Sequence, residues 1–226
     1  MFYDPTYWMM MLPALLLSLW ASFKTKSAFK KYSRVRVMSG QTGAQAAKTL
    51  LERAGISDVE IKPVGGMLSD HYNPMTKTLA LSKAVYDQPS IAAVGVACHE
   101  AGHAIQHARH YKPMWLRSVL VRPANIGSKF GIWAIFLGLI IGATGLFKIG
   151  ILLFLAAVVF QLVTLPVEFD ASARAKKLSV EYGIVTAQEK TGIDKVLNAA
   201  AMTYVAAAAS SVLQLLYWVS LARGRD

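Results

Sequence analysis

The stretch FGIWAIFLGLIIGATGLF, Phe130–Phe147, is followed after the single Lys148 by IGILLFLAAVVFQLVTLP, Ile149–Pro166. Neither run carries a charge, and each approaches the ~20 apolar residues that a helix needs to cross the hydrocarbon core of a bilayer. Two spans joined by so short a link form a hairpin, with its tip expected at Lys148. Tyr7–Phe23 (YWMMMLPALLLSLWASF) is another uncharged run, bounded by Asp4 and Lys24, with Tyr3, Tyr7 and Trp8 as interfacial anchors. It has neither a basic leader nor an A-x-A-like cleavage site after Lys24, so it reads as an anchor rather than a signal peptide. Ala199–Ala222 is also uncharged but rich in Ala and Ser. It either spans or packs as a buried helix. The fold expected is therefore a mainly α membrane protein with three or four transmembrane helices.

Composition agrees. Of 226 residues, 54% are hydrophobic and only 16% charged, which excludes a disordered chain. The 24 Lys+Arg against 13 Asp+Glu leave a net charge of +11, a balance that suits nucleic acid or an anionic membrane face. The long uncharged runs decide for the lipid bilayer as partner and against nucleic acid. Cys98 is the one cysteine, so an internal disulfide and a Cys-rich metal cage are both excluded. A neutral cysteine at that position is expected in the core.

Basic loops stay cytoplasmic. Lys24, Lys26, Lys30, Lys31, Arg34 and Arg36 follow the first run. Arg109, Lys112, Arg117 and Arg122 precede the hairpin, and Arg174, Lys176 and Lys177 follow it. This pattern places the N-terminus outside and both polar segments in the cytoplasm. The tail (Arg223, Arg225, Asp226) fits that orientation only if the last run does not cross. The expected organisation is an anchor over 1–23, a cytoplasmic α+β part over 24–125, a transmembrane hairpin over 126–166, a cytoplasmic helical part over 167–198 and an apolar C-terminal helix over 199–226. Gly127, Gly131, Gly138 and Gly142 would let helices approach closely, so a homo-oligomer or a membrane-protein partner is a further expectation.

Within 24–125, Thr42-Gly43-Ala44-Gln45 has the form of a capping box, and Ala46, Ala47, Leu50, Leu51 and Ala54 follow at helical spacing up to Gly55. Val59–Val64 alternates like a strand, Gly65-Gly66 and Asn73-Pro74 turn the chain, and Thr76–Leu81 reads as a second strand whose edge could hold an extended peptide. Ser90 caps a helix expected from Ile91 to about His107.

That helix contains His99-Glu100-Ala101-Gly102-His103. Residues four apart share a helix face, so both imidazoles reach one ion, and Glu100 beside them can take a proton from water. The bland alternative is a helix with two incidental histidines. His107 lies two turns from His99, about 12 Å along the axis, too far to share one ion. Gln106 and Arg109 stand where a metzincin would have its Gly and third His, so that pattern fails. The third ligand expected is Glu168, in Leu165–Ala175. Two spans separate it from His103, and an even number returns the chain to the side it left. Its competing role is a carboxylate at a helix start, favoured there by the macrodipole.

Ser69–Pro74 (SDHYNP), Ala97–Gln106 (ACHEAGHAIQ) and Leu165–Ala175 together resemble the YugP-type neutral zinc metallopeptidases of bacterial membranes, over nearly the whole chain. More distantly the chain is similar to the HtpX and CAAX-prenyl endopeptidases, whose third zinc ligand is the Glu of an E-x-x-x-D stretch. Glu168 aligns with that Glu; the aligned Asp is here Ser172, with Asp170 two positions earlier. The resemblance implies a small α+β gluzincin-like cytoplasmic zinc-peptidase domain, and a multi-pass protein of the bacterial cell membrane. It further implies one Zn2+ held by His99, His103 and Glu168, a zinc endopeptidase activity with Glu100 as general base, and a protein or peptide substrate. His71 is the first choice for a group that stabilises the oxyanion, ahead of Tyr72, Tyr204 and Arg174; its competing role is that of a turn histidine. The alternative function is a catalytically inactive zinc-containing membrane scaffold or adaptor. A channel is disfavoured, because the apolar runs hold no ionisable group.

Overall fold

The structure, a computed structural model, describes residues 4–66 and 69–224. Tyr3, Arg225 and Asp226 lie outside the described residues. The chain runs α1 (Pro5–Tyr32), α2 (Gly43–Arg53), β1 (Glu60–Val64), β2 (His71–Asn73), β3 (Thr78–Ser82), α3 (Lys83–Tyr86), α4 (Ile91–Ala108), α5 (Lys112–Ile141), α6 (Thr144–Glu181) and α7 (Ala187–Arg223). It divides into two compact units. One comprises Met1–Ala21, Trp115–Pro166 and Thr203–Asp226; the other comprises Ser22–Met114 and Val167–Met202.

In the first unit, α1, α5, α6 and α7 contribute their apolar stretches, and all four helices are long and apolar enough to cross a membrane. Their inward faces meet at Ile135, Phe147, Phe154, Val158, Tyr217 and Trp218. Outward faces carry Trp133, Ile140, Leu152 and Met9, each more than two-thirds exposed. Large apolar side chains in that number would be unfavourable against water and are at home against acyl chains. The hairpin tip is not at Lys148. Gly142 takes φ +71° and ends α5, Ala143 follows, and Lys148 lies inside α6. A left-handed glycine turns the chain where hydropathy shows no break.

The close helix approach expected at these glycines is found within the hairpin. A Cβ on Gly127 would stand 2.1 Å from the Leu153 carbonyl oxygen, one on Gly131 2.9 Å from the Gly150 carbonyl oxygen, and one on Gly138 2.6 Å from the Phe147 nitrogen. These positions let α5 and α6 touch backbone to backbone within the hairpin, and Gly142 makes its turn.

The second unit is the small α+β part. The Thr42 hydroxyl accepts from the Gln45 N–H, and the Gln45 side chain accepts from the Thr42 N–H, completing the capping box that starts α2. Gly55 at φ +78° closes the helix. Strand order is β1-β3-β2, with β1 parallel and β2 antiparallel to β3. Thr76–Leu81 therefore supplies the central strand rather than an edge. The edge beside it is β2, a strand that the alternation of the sequence did not reveal because it has three residues and ends in the Asn73 turn. There the Asn73 Oδ1 accepts from the Met75 and Thr76 N–H groups at 2.9 and 3.4 Å. Asp70 fastens the start of β2 to the end of β3, accepting from the Ser82 N–H at 2.7 Å and from its hydroxyl.

Helix α4 is the centre of this unit. Ser90 caps it, accepting from the Ala93 N–H at 3.2 Å. Ala92, Ala93, Val94, Ala97, Cys98, Ala101, Ala104 and Ile105 are buried, and Leu50, Leu79, Leu81, Val85 and Ile193 close around them. Each large side chain so buried stabilises the unit by about 1.5–3 kcal/mol relative to exposure. The small residues along α4 let its neighbours come close: a Cβ on Gly102 would lie 2.7 Å from the carbonyl oxygen of Ala171 in α6. That approach brings the polar face of α6 against the two histidines.

Candidate metal centre

His99 and His103 stand one turn apart on α4 with ring centroids 4.8 Å apart and planes at 81°. Glu168 faces both from α6. Its Oε2 lies 3.2 Å from His99 Nε2 and 3.6 Å from His103 Nε2. Among the described residues these three form the group of His, Cys, Asp and Glu whose donor atoms all fall within 4.8 Å of one another. The helix-start role for Glu168 does not hold, because α6 runs unbroken from Thr144 through Pro166 to Glu181.

The donor set fits zinc on three counts. Tetrahedral Zn–N and Zn–O bonds of about 2.0–2.2 Å imply ligand–ligand edges of about 3.3–3.6 Å, close to the two separations seen here. Glu168 is 2% exposed, and a carboxylate so buried needs compensating positive charge or hydrogen-bond donors, which a cation between it and the two imidazoles would supply. At His103 burial opposes a positive charge, but the Glu168 and Glu100 carboxylates outweigh it and raise the imidazole above its ordinary value; the field that would hold a proton there also favours a metal ion.

Both histidines are held from behind. The Ser172 hydroxyl is 3.1 Å from His99 Nδ1, and the Gln106 Oε1 is 2.9 Å from His103 Nδ1. Glu168 and Ser172 are four apart on α6, so one face of that helix engages both nitrogens of His99. Ser172 thus occupies the place of the Asp in the E-x-x-x-D pattern. Asp170 touches neither ring; it accepts from the Gln106 amide at 2.8 Å and from Arg174 Nε at 2.6 Å. The sequence-level signal for both supports was a polar residue one helical turn from a ligand, three beyond His103 and four beyond Glu168.

Glu100 is 8% exposed, and its carboxylate has no hydrogen-bond partner among the described residues. His71 lies on the edge strand β2, exposed, with Nδ1 2.8 Å from the Ser69 carbonyl oxygen. It is not part of the His–Glu cluster. Two of the weaker donors are otherwise engaged. Burial and Asp58 push the Tyr72 phenol up to about 12, and its hydroxyl sits 2.9 Å from His107 Nδ1. Arg174 pairs with Asp170 and stacks over Tyr111, and Tyr204 lies on α7. His107 is held by Tyr72, while His110 takes φ +52° just beyond the end of α4. Cys98 is fully buried, and burial pushes its thiol up to about 12.

Comparison with known proteins places this geometry in context. A family model described as "Putative neutral zinc metallopeptidase" matches residues 7–223. A relative named "Putative membrane protease YugP", from Bacillus subtilis (strain 168), is 47% identical over 214 residues, covering 94% of this chain and 95% of the relative. No solved structure matches the chain.

Proposed function

Because this chain belongs to the neutral zinc metallopeptidase family, we propose that it is a membrane-anchored zinc endopeptidase that hydrolyses peptide bonds at the cytoplasmic face of the bacterial membrane. The observation that carries this reading is the convergence of His99, His103 and Glu168 donor atoms within 4.8 Å, with Glu100 beside them. His99 Nε2, His103 Nε2 and Glu168 Oε2 would hold a single zinc ion. When bound, zinc supplies Lewis acidity and lowers the pKa of water into the neutral range.

The chain's own groups perform the remaining work. Glu100, without a hydrogen-bond partner among the described residues, accepts the proton of the attacking water and delivers it to the leaving amine. His71 lies on β2 with Nδ1–H given to the Ser69 carbonyl oxygen, so it would donate from Nε2 to the oxygen of the scissile carbonyl in its doubly protonated form, as charge develops there. The open edge of β2 holds the substrate as an extended segment through main-chain hydrogen bonds. This replaces the edge role expected of Thr76–Leu81. The basic segments Lys24–Arg36, Arg109–Arg122 and Arg174–Lys177 keep the site on the cytoplasmic side.

The test is Glu100→Gln in the full-length protein. Zinc content should stay at wild-type level while cleavage of a peptide library falls by about 10²–10⁴-fold. Undiminished cleavage rejects Glu100 as the base. A wild-type protein that binds zinc yet cleaves nothing, in vitro or by proteomic comparison of cells, favours the scaffold instead.

A further inference from the structure

Gln106 is fully buried, and every polar atom of its side chain has a partner. Its amide nitrogen donates to the Val167 carbonyl oxygen at 2.8 Å and to Asp170 Oδ2 at 2.8 Å. Neither of those oxygens can donate, so the amide cannot be reversed without setting its oxygen against two acceptors. The Oε1 must therefore face His103. That oxygen only accepts, so the His103 Nδ1 2.9 Å away must carry the hydrogen. A neutral imidazole protonated at Nδ1 has its lone pair on Nε2, the atom 3.6 Å from Glu168 Oε2. The assignment is forced link by link, from a main-chain carbonyl and a carboxylate through an amide to a ring nitrogen.

His99 differs. Its Nδ1 partner is the Ser172 hydroxyl, which both donates and accepts and so imposes no tautomer. Asp170 is fixed in turn by Arg174, with Nε–Oδ2 at 2.6 Å and a second contact at 3.4 Å, and the guanidinium lies over the Tyr111 ring. Arg174, Asp170 and Val167 all belong to α6, as Glu168 does. The same amide that orients His103 therefore also registers α4 against the helix that brings the carboxylate.

We infer that Gln106 is a positioning residue that locks His103 in the Nδ1–H tautomer and ties that choice, through Asp170 and Val167, to the placement of Glu168. The inference rests on the metal-centre reading above. Its role is to keep the ring from rotating and to present the Nε2 lone pair without a compensating rearrangement when a cation arrives. Partners of this kind behind a ligating histidine typically contribute about 10–100-fold in metal affinity.

The experiment uses full-length protein in detergent, with zinc affinity measured by chelator competition and 15N–1H spectra of the imidazoles recorded on the zinc-loaded form. Gln106→Met keeps the side-chain length and removes both the strong acceptor and the donor. Its zinc affinity should fall about 10–100-fold, and the His103 Nδ1–H resonance should lose its hydrogen-bonded shift. Asp170→Ala leaves the Val167 anchor in place, so its affinity should fall by a smaller factor, about threefold or more. A folded Gln106→Met protein with unchanged affinity, or with an unchanged Nδ1–H resonance, overturns the inference. Should Gln106→Met fail to fold, unchanged affinity in Asp170→Ala overturns it equally. Failure of the underlying reading has a different signature: wild-type protein that takes up no zinc, or zinc uptake that survives Glu168→Gln undiminished.

Discussion

Gly102 lies between the two candidate ligand histidines, and replacing it by alanine tests how closely α4 and α6 must approach. The added Cβ would stand 2.7 Å from the Ala171 carbonyl oxygen and 3.3 Å from the Ala171 Cα. Ordinary contact begins near 3.4 Å, so the helices must separate locally by roughly 0.7 Å, and the obstacle is backbone that cannot swing aside. Overpacking of this kind costs about 1–3 kcal/mol, against which alanine returns about 1 kcal/mol of helix propensity. The metal-free fold should therefore lose at most about 2 kcal/mol. The centre should suffer more. Ala171 is adjacent to Ser172 and three residues from Glu168, and metal–ligand distances tolerate only about 0.2 Å. Zinc affinity in Gly102→Ala should fall by about tenfold or more, a loss comparable to removing a supporting hydrogen bond. Gly95→Ala is the control on the same helix: the nearest atoms to its Cβ would belong to the Ile193 side chain, from 3.3 Å, rather than to backbone, and both its stability and its zinc affinity should stay near wild type. The assays are chelator competition and thermal melting with and without zinc. Wild-type zinc affinity in Gly102→Ala would refute the claim that this contact sets the geometry of the site.

Two further expectations concern packing and pH. Gly127→Ala would place a Cβ 2.1 Å from the Leu153 carbonyl oxygen, whereas a Cβ on Gly145 meets nothing within 4 Å; in detergent melts the first should lose about 1–3 kcal/mol and the second should not. Equal melting of the two would place the α5–α6 contact elsewhere. Cys98 is an acid whose thiol is held up to about 12 in the folded chain against an ordinary 9.0. The unfolded chain thus releases this proton first as pH rises, and stability should fall between about pH 9 and pH 12 by up to about 1.4 kcal/mol per pH unit from this group. Cys98→Ala should lack that component. Denaturant melts of the two proteins across this range that stay parallel would contradict the assignment, as would rapid labelling of the native thiol by maleimide at pH 8.

The local signals of the sequence carried far. Thr42 and Gln45 specify the start of α2 and Ser90 that of α4, because a cap is a contact between residues three apart and needs no tertiary partner. Three apolar runs read directly as helices fit for a bilayer, since length and hydropathy are one-dimensional properties, whereas the Ala- and Ser-rich fourth left its role open; all four prove long and apolar enough to cross. The spacing of His99 and His103 puts two imidazoles on one face for the same reason. Where a feature depended on a backbone angle or on a few residues, the pattern was silent: the turn at Gly142 carries no hydropathy break, and β2 is too short to alternate visibly.

The remaining features were decided only in three dimensions. Glu168 faces His99 and His103 because Gly102 lets α6 come within contact of α4, a distance that no spacing along the chain encodes. Thr78–Ser82 became the central strand because β2 pairs along its other side, which moved the open edge to His71–Asn73. Gln106 and Ser172 acquired their roles by lying across from particular ring nitrogens. Helical periodicity fixes which side chains share a face, whereas the partner of that face is set by packing between segments far apart in the chain, and the chemistry of the site belongs to the second kind of information.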